Sequence, residues 1–524
     1  MELHERALPL TRGQMDIWLS QETVGSQTDW QVGWFVPIKG VVDPDVIDRA
    51  IRQVVDEAEP LRVVFCEVDG EVVQRAIDDP DVGVARHDLR HSQNPVRDAY
   101  ELALSIQRAP LSWPGPLYKF ALFQTRSDEF HLYICSHHIV LDGFGTVLIT
   151  QRISAVYSAL ISGNQVPAAV FGSLRDLVDY ESEYEKSGEY LEDRAYWCEN
   201  LPAKNGPTYQ LPQVANRPDF YPASTPIQLD PAVVNRVDEF CEELGVRRSS
   251  VITAACALLV REWCAGGSDV ALDFPVSRRI SAQSKTVPGM VSGFVLLALR
   301  ALPSSTVADF CEHVESQIRD ALRHQRFPVH VLENNRGARA GGQETARVAI
   351  NFVPATTILP FGSAPASIAY TSFGRVNHFG LYFIKDGDQL SLVTAGVGRP
   401  FSDFDVSDLA QRLQRLLVAL VADPQRRLSS VEVLDEAERA QLDAIGNRGV
   451  LAGVGPGWAS IPELFAVQVG RSPEAIAVVC GDQRLTYREL DAAADRLAGV
   501  LADAGVGPGD VVALLVQRSI AAVT

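Results

Sequence analysis

The stretch EFHLYICSHHIVLDG, residues Glu129 to Gly143, decides how this chain is read. Phe130, Leu132 and Ile134 share one parity, and His131, Tyr133 and Cys135 share the other. That is the period of a half-buried strand. Successive strand side chains point to opposite faces, so only one of His137 and His138 can face a given cavity. Asp142-Gly143 is a turn signal. Beyond it Ile149, Ile153, Val156 and Leu160 recur at helical spacing, and Gly163 supplies a stop. The reading is strand, turn, helix, with backbone N–H groups at the helix start available to a developing oxyanion. A neutral imidazole, with an ordinary pKa of about 6.5, can accept a proton from an attacking amine. The run therefore points to acyl transfer onto an amine or a hydroxyl.

Two plainer readings compete. A histidine on a strand packs or meets solvent more often than it catalyses. Two histidines and an aspartate are also metal ligands. Adjacent strand histidines point apart, however, and no third His or Cys follows at ligand spacing, so no metal is expected.

HHIVLDG resembles the HHxxxDG motif of condensation domains in nonribosomal peptide synthetases, which are relatives of chloramphenicol acetyltransferase. Further stretches resemble that family's motifs in order. They are Leu8 to Gln21, with Thr11, Gln14, Ile17 and Trp18; Asp193 to Leu201; Asp273 to Ile280; Pro288 to Arg300; and Arg323 to Leu332. The resemblance spans roughly residues 8 to 435. It implies an α/β fold of two chloramphenicol acetyltransferase-like lobes, each an αβ sandwich, forming a V-shaped pseudo-dimer. The expected N-lobe covers residues 1–179 and the C-lobe 180–435.

The resemblance also implies roles. His138 is the motif histidine, acting as general base or holding the nucleophilic amine at the middle of a tunnel between the lobes. His137 is structural support. Asp142 forms an ion pair, with Arg279 as partner, and Gly143 leaves room for the acyl group. A solvated basic corner is the alternative for Arg278-Arg279. The sequence departs from the family at Ser292-Gly293, where Asn is common, and at Arg278, where a small residue is common. An aspartate-rich motif survives loosely at Phe401 to Asp405. No nucleophilic Ser or Cys is expected, since a thioester carbonyl is already activated. Cofactors are not bound intrinsically. The 4'-phosphopantetheine arms arrive on donor and acceptor peptidyl carrier proteins, which raises the effective concentration of amine near thioester.

Downstream, residues 436–458 read as a charged helix followed by a Gly-rich linker. Residues 459–524 contain a helix start at Ile461, a short strand at Ala475 to Cys480, and LTYREL opening a helix with Leu490, Ala494, Leu497 and Leu501 on one face. GVGPGDVVALLVQRS then reads as turn plus buried strand. Together these resemble the start of an adenylation domain. The sequence stops before any phosphate-binding loop, so no adenylation is expected of it, and the remainder of that domain is an expected partner.

Composition is that of a globular chain: of 524 residues, 46% are hydrophobic and 22% charged. The formal net charge of −19 argues against nucleic-acid binding. No apolar run reaches the roughly 20 residues of a membrane span, and Met1-Glu2-Leu3-His4-Glu5 is no signal peptide. The 8 cysteines are irregularly spaced, without CxxC, which suits a reducing, cytoplasmic location. A monomer is expected. The DGF turn at Asp142 to Phe144 resembles condensation domains of siderophore synthetases that take a starter acyl group. Rival readings are a stand-alone coenzyme A-dependent acyltransferase, an epimerisation-type domain, and a catalytically silent recruitment platform.

Overall fold

The computed structural model describes residues 7–24, 28–111, 113–201, 223–264, 267–332, 347–353, 360–376, 379–387, 389–396, 405–446, 448 and 460–524. The chain divides into a first unit ending at Val433 and a second beginning at Leu434. The linker over 449–459 and most of the aspartate-rich motif, 401–404, lie outside the described residues.

In the first lobe, strands β1 (Gln31–Lys39), β2 (Val84–Asp88), β3 (Tyr118–Arg126) and β4 (Glu129–His137) belong to one five-stranded sheet. Helices α1 (Arg12–Val24), α2 (Pro44–Glu57), α3 (Pro95–Arg108) and α4 (Gly143–Ile161) surround it. Helix α2 starts where Asp43 accepts N–H bonds from Asp45 and Val46, with Pro44 in the first turn. Its Val46, Ile47, Ala50, Ile51, Val54 and Val55 are buried, the stripe that an amphipathic helix turns to a core. That stripe packs in the same cluster as Phe130, Leu132, Ile134 and the α4 residues Ile149, Ile153 and Val156.

The other face of the sheet is also covered. Tyr133 and Cys135 pack with Phe35, Phe123 and the α3 residues Ala99 and Ala103. Strand β4 is therefore buried on both faces over most of its length, rather than half-buried. Alternating polarity misled here because His131, Tyr133 and Cys135 carry enough apolar surface to sit under a helix. Burial pushes the Cys135 thiol up to about 12, which keeps it protonated.

The second lobe is built around a six-stranded sheet. Its strands are β5 (Ile227–Gln228), β6 (Asp269–Val276), β7 (Gly293–Arg300), β8 (Val348–Val353), β10 (Phe379–Asp386) and β11 (Gln389–Gly396), in the order β7-β6-β8-β10-β11-β5. The pairs β6–β8 and β8–β10 are parallel and the rest antiparallel. Helices α5 (Leu174–Glu185) and α6 (Gly188–Asn200) lead into this lobe. Helices α7 (Pro231–Leu244), α8 (Arg248–Cys264), α9 (Val307–Arg323) and α10 (Val406–Val421) form its apolar core with the sheet.

The apolar clusters do not follow a single cut in the sequence. Val287, Met290, Val291, Phe361 and Ala364 belong to the first lobe's core. Strand β9 (Ala369–Phe373) leaves the second lobe and pairs antiparallel with β1, so the first sheet runs β9-β1-β4-β3-β2. A buried polar network pins it there. Gln107 Oε1 accepts from Tyr133 Oη at 2.9 Å and from Thr371 Oγ1 at 3.0 Å, while Gln107 Nε2 donates to the Gln31 carbonyl at 3.0 Å. Gly33 makes the room: a Cβ there would lie within 2.6 Å of all three side-chain oxygens.

In the second unit, Ile476–Cys480 pairs antiparallel with Gln483–Thr486. Thr486 and Glu489 then form a reciprocal cap on helix Tyr487–Asp503. The buried strand expected within Gly505 to Ser519 is not formed. Residues 511–517 have no strand partner among the described residues, and Val511 and Leu515 are 96% and 100% exposed. An apolar run becomes a strand only where a neighbouring strand satisfies its backbone.

Among the described residues, α4 alone is long and apolar enough to cross a bilayer, and 56% of its best window is buried inside the protein.

Candidate active site

Strand β4 delivers the histidine doublet to the edge of the first lobe's core. The ladder to β1 extends one bond past the strand, from the His138 N–H to the Trp30 carbonyl at 2.7 Å, and then the chain turns. The two imidazoles have different surroundings. His137 is 2% exposed, lies edge-on to Trp113, and its Nδ1 accepts the Ile139 N–H at 3.2 Å. That bond leaves Nδ1 unprotonated. Burial, then the neighbouring His138, pushes the His137 pKa down to about 3. His138 keeps partial exposure and sits edge-on to Trp30. Burial holds its pKa below the ordinary value, against the backbone dipoles of His138 and Leu141 and the charge of Asp142. Both rings are thus held toward the neutral form, and the one with access is His138.

Asp142 caps α4, with Oδ1 accepting the Gly145 N–H at 2.8 Å. Its Oδ2 accepts from Arg279 Nη1 and from the backbone N–H groups of Val291 and Ser292, at 3.1 and 3.0 Å. Arg279 Nη2 donates to the carbonyls of Val287 and Gly289 at 3.1 and 2.9 Å. The two side chains are 0% and 1% exposed. Burial opposes ionisation of Asp142. The Arg279 charge, its hydrogen bond and the N–H groups of Gly145 and Ser292 outweigh it and hold the carboxyl below the usual range. With its oxygens committed in this way, Asp142 is placed to hold the helix start against the second lobe.

The solvated basic corner is excluded, since Arg278 and Arg279 are 5% and 4% exposed. Arg278 adopts φ +54°, a region that favours glycine. Its Nε donates to the Gln325 carbonyl at 3.2 Å, and its guanidinium fills the space over Gly293, where a Cβ would collide with it. The two departures from the family pattern, Arg278 and Gly293, are therefore one packing arrangement.

Beside Gly143 the space is open: a Cβ there would meet no atom within 4 Å. Phe144, the next residue, is 40% exposed and lies 4.9 Å under the Arg279 guanidinium. Sequence reasoning missed the residues that the crossover brings in. Gly374, at φ +74°, leaves just enough room for His138, whose Cδ2 would lie 3.0 Å from a Cβ. Arg375 is 9% exposed and stands 5.9 Å over the Trp30 ring. A glycine after an apolar run reads only as a turn, and nothing local tells that this one abuts a histidine 236 residues earlier.

Chemically, the site offers an accessible imidazole held toward neutrality and open space at Gly143 in the first turn of the following helix, where developing negative charge is favoured. Among the described residues no group of His, Cys, Asp and Glu could hold a metal ion.

Comparison with known proteins gives a consistent result. Residues 4–443 match the Condensation domain family, and residues 465–524 match the AMP-binding enzyme family. The chain is 28% identical over 523 residues to a dimodular nonribosomal peptide synthase of Bacillus subtilis (strain 168), covering 97% of this chain and 21% of that protein. It is 27% identical to enterobactin synthase component F of Escherichia coli (strain K12), covering 98% of this chain and 40% of that one. It thus spans between about a fifth and two-fifths of these relatives. Among solved structures, the first condensation domain of the CDA synthetase superposes with a TM-score of 0.74 at 26% identity, covering 82% of this chain and 99% of that one. A mutant of the starter condensation domain of rhizomide synthetase RzmA, in complex with C8-CoA, gives 0.73 at 26% identity, covering 83% and 99%. The match across most of the chain, on two αβ lobes with His138 and Asp142 where they meet, establishes that this chain belongs to the condensation-domain family of nonribosomal peptide synthetases and continues into the start of an AMP-binding domain.

Proposed function

We propose that this condensation domain joins a donor acyl group, held as a thioester on one carrier protein, to the amine of an aminoacyl group held on another, with His138 as the proton-transfer group. The amine nitrogen adds to the thioester carbonyl carbon, the C–S bond breaks as the C–N bond is completed, and the proton leaves the nitrogen through His138 for the departing thiolate. Asp142 and Arg279 fix the helix start and leave the chemistry to others, His137 is support, and Gly143 leaves space for the acyl chain. The observation that carries this is the split of the doublet: His137 is enclosed, whereas His138 is accessible and held toward neutrality. Two phosphopantetheine arms deliver the substrates, so positioning supplies much of the rate.

A starter-type donor is favoured by the relatives in siderophore synthesis and by the likeness to a starter condensation domain. Exposed Phe144 beside open Gly143 suits an apolar acyl chain. For the second unit, exposed Val511, Leu514 and Leu515 support the remainder of an adenylation domain as the covering partner.

The test is to mix the protein with donor- and acceptor-loaded carrier proteins and follow the acceptor by intact mass. Transfer of the acyl mass, lost in a folded His138→Ala variant, is expected. Undiminished transfer in that variant would remove His138 from the mechanism, and no transfer by the native chain would remove condensation itself.

A further inference from the structure

Thr11 and Gln14 open helix α1 with a reciprocal cap. Thr11 Oγ1 accepts the Gln14 N–H at 3.3 Å, and Gln14 Oε1 accepts the Thr11 N–H at 2.9 Å. A glutamate in place of Gln14 would close this cap equally well, and its charge would suit the helix start better. Glutamine differs in carrying two amide protons. Both are used here. Gln14 Nε2 donates to Gln74 Oε1 at 2.8 Å and to the Ile139 carbonyl at 3.2 Å, while Gln74 Nε2 returns a bond to Gln14 Oε1 at 2.7 Å. Gln74 lies on the strand Glu71–Ala76 and also donates to the Pro9 carbonyl at 2.9 Å. Both glutamines are buried.

The Ile139 carbonyl belongs to the turn that carries His138. Residues 138–140 form that turn, closed by a bond from the Val140 N–H to the His137 carbonyl at 3.0 Å. On its entry side the His138 N–H is held by the Trp30 carbonyl, and the next N–H, of Ile139, is held by His137 Nδ1. Gln14 supplies the partner for the Ile139 carbonyl. Thr11 Oγ1 donates in turn to the Met290 carbonyl at 3.1 Å, next to the Val291 and Ser292 N–H groups that bind Asp142. The cap therefore ties the histidine turn to the second-lobe segment that also clamps the start of α4.

We propose that Gln14 is a positioning residue for amide-bond formation: its Nε2 holds the Ile139 carbonyl and so fixes the turn that aims the His138 imidazole. This rests on the condensation reading above. Gln14 is enclosed and meets no substrate itself. Its effect is geometric. A turn free to shift moves the imidazole relative to the attacking amine, and a displacement of about 1 Å can cost on the order of 100-fold in rate. Docking of the carriers does not draw on that turn, so the effect falls on kcat rather than on KM.

Two methionine variants separate positioning from packing, since methionine keeps the unbranched length of glutamine without its amide. Gln14→Met removes the bond to Ile139, whereas Gln74→Met leaves it in place. Each strands one buried amide and should lower the thermal midpoint. In the carrier-loaded transfer assay with the full chain, run well below either midpoint, Gln14→Met should lower kcat by roughly 10- to 100-fold with KM for the loaded carriers held. Gln74→Met should keep kcat near native. The double variant Gln14→Met/Gln74→Met leaves neither amide stranded, so its midpoint should recover part of the loss while its kcat stays low. Native kcat in Gln14→Met, or an equal loss of kcat in Gln74→Met, would overturn the proposal. If Gln14→Met does not fold, the double variant is assayed in its place, and native kcat there would overturn it. Absence of transfer by the native chain overturns the underlying reading instead, a result distinct from native transfer that ignores Gln14.

Discussion

Asp142 and Arg279 meet as a buried ion pair across 137 residues of sequence, and the same carboxylate caps the helix that follows the histidines. One side chain therefore sets two things: where α4 begins, and how the second lobe's 287–292 segment lies against it. A buried pair of this kind costs desolvation on both sides and adds little net stability, but losing one partner strands the other charge.

Removing either partner should therefore harm folding first. Asp142→Ala and Arg279→Ala are each expected to lose about 3–5 kcal/mol in urea unfolding. The double variant should lose less than the sum, since neither charge is then stranded. Additive losses would show that the two groups act separately.

The two histidines should separate by assay. His138→Ala should abolish transfer while its thermal midpoint stays close to native, because its ring is partly exposed. His137→Ala should lower the midpoint, since its ring is enclosed against Trp113 and bonded to the Ile139 N–H. A buried truncation of this type costs on the order of 1–3 kcal/mol.

Acid should destabilise the first unit through these same rings. Above pH 6.5 or so, His137 and His138 are neutral in both folded and unfolded chains and contribute nothing to pH dependence. Below that value the unfolded chain takes up protons that the native sites refuse, so stability falls until the folded pKa is reached, about 3 for His137. Each such ring adds a slope approaching roughly 1.4 kcal/mol per pH unit. Asp142, whose folded pKa is depressed, adds a further loss below about pH 4 as its ion pair is protonated. Urea midpoints from pH 7.5 to 5 should fall, and less steeply in His137→Asn. For catalysis the sign is opposite in consequence: a lowered His138 pKa keeps the base neutral below pH 6.5, so the acid limb of kcat/KM should lie below the ordinary imidazole value.

Two glycines should resist substitution for different reasons. Gly293→Ala drives a methyl into the Arg278 guanidinium, so it should destabilise by about 1–3 kcal/mol, with recovery in Gly293→Ala/Arg278→Gly. Gly374→Ala combines an unfavourable φ of +74° with a close approach to His138. It should reduce transfer more than it reduces stability, and a crystal structure of the variant should show a displaced His138 ring.

Much of this was legible before any coordinates. The strand ending at the doublet and the helix stopped near Gly163 are local patterns, and each lies where the residues placed it; the turn itself falls earlier, at His138 to Val140, and Asp142-Gly143 instead opens the helix. The reciprocal Thr486–Glu489 cap likewise starts the helix that LTYREL suggested. Where local reading failed, tertiary surroundings were responsible. Strand β4 alternates in polarity yet is covered on both faces by helices, and the apolar run at 511–517 has no strand to pair with among the described residues.

The sequence by itself determined the elements around His138 and the order of motifs that marks the family, because periodicity, caps and turns act over a few residues. Only the tertiary structure decided what surrounds the imidazole: Trp30 from the turn before β1, Gly374 from just past a strand that crosses between lobes, and a carboxylate already committed to Arg279 and three backbone N–H groups. Apart from the Gly145 cap, these contacts join residues more than 100 positions apart. They are fixed by which apolar faces are buried together and which charges must be paired, and no local pattern carries that information.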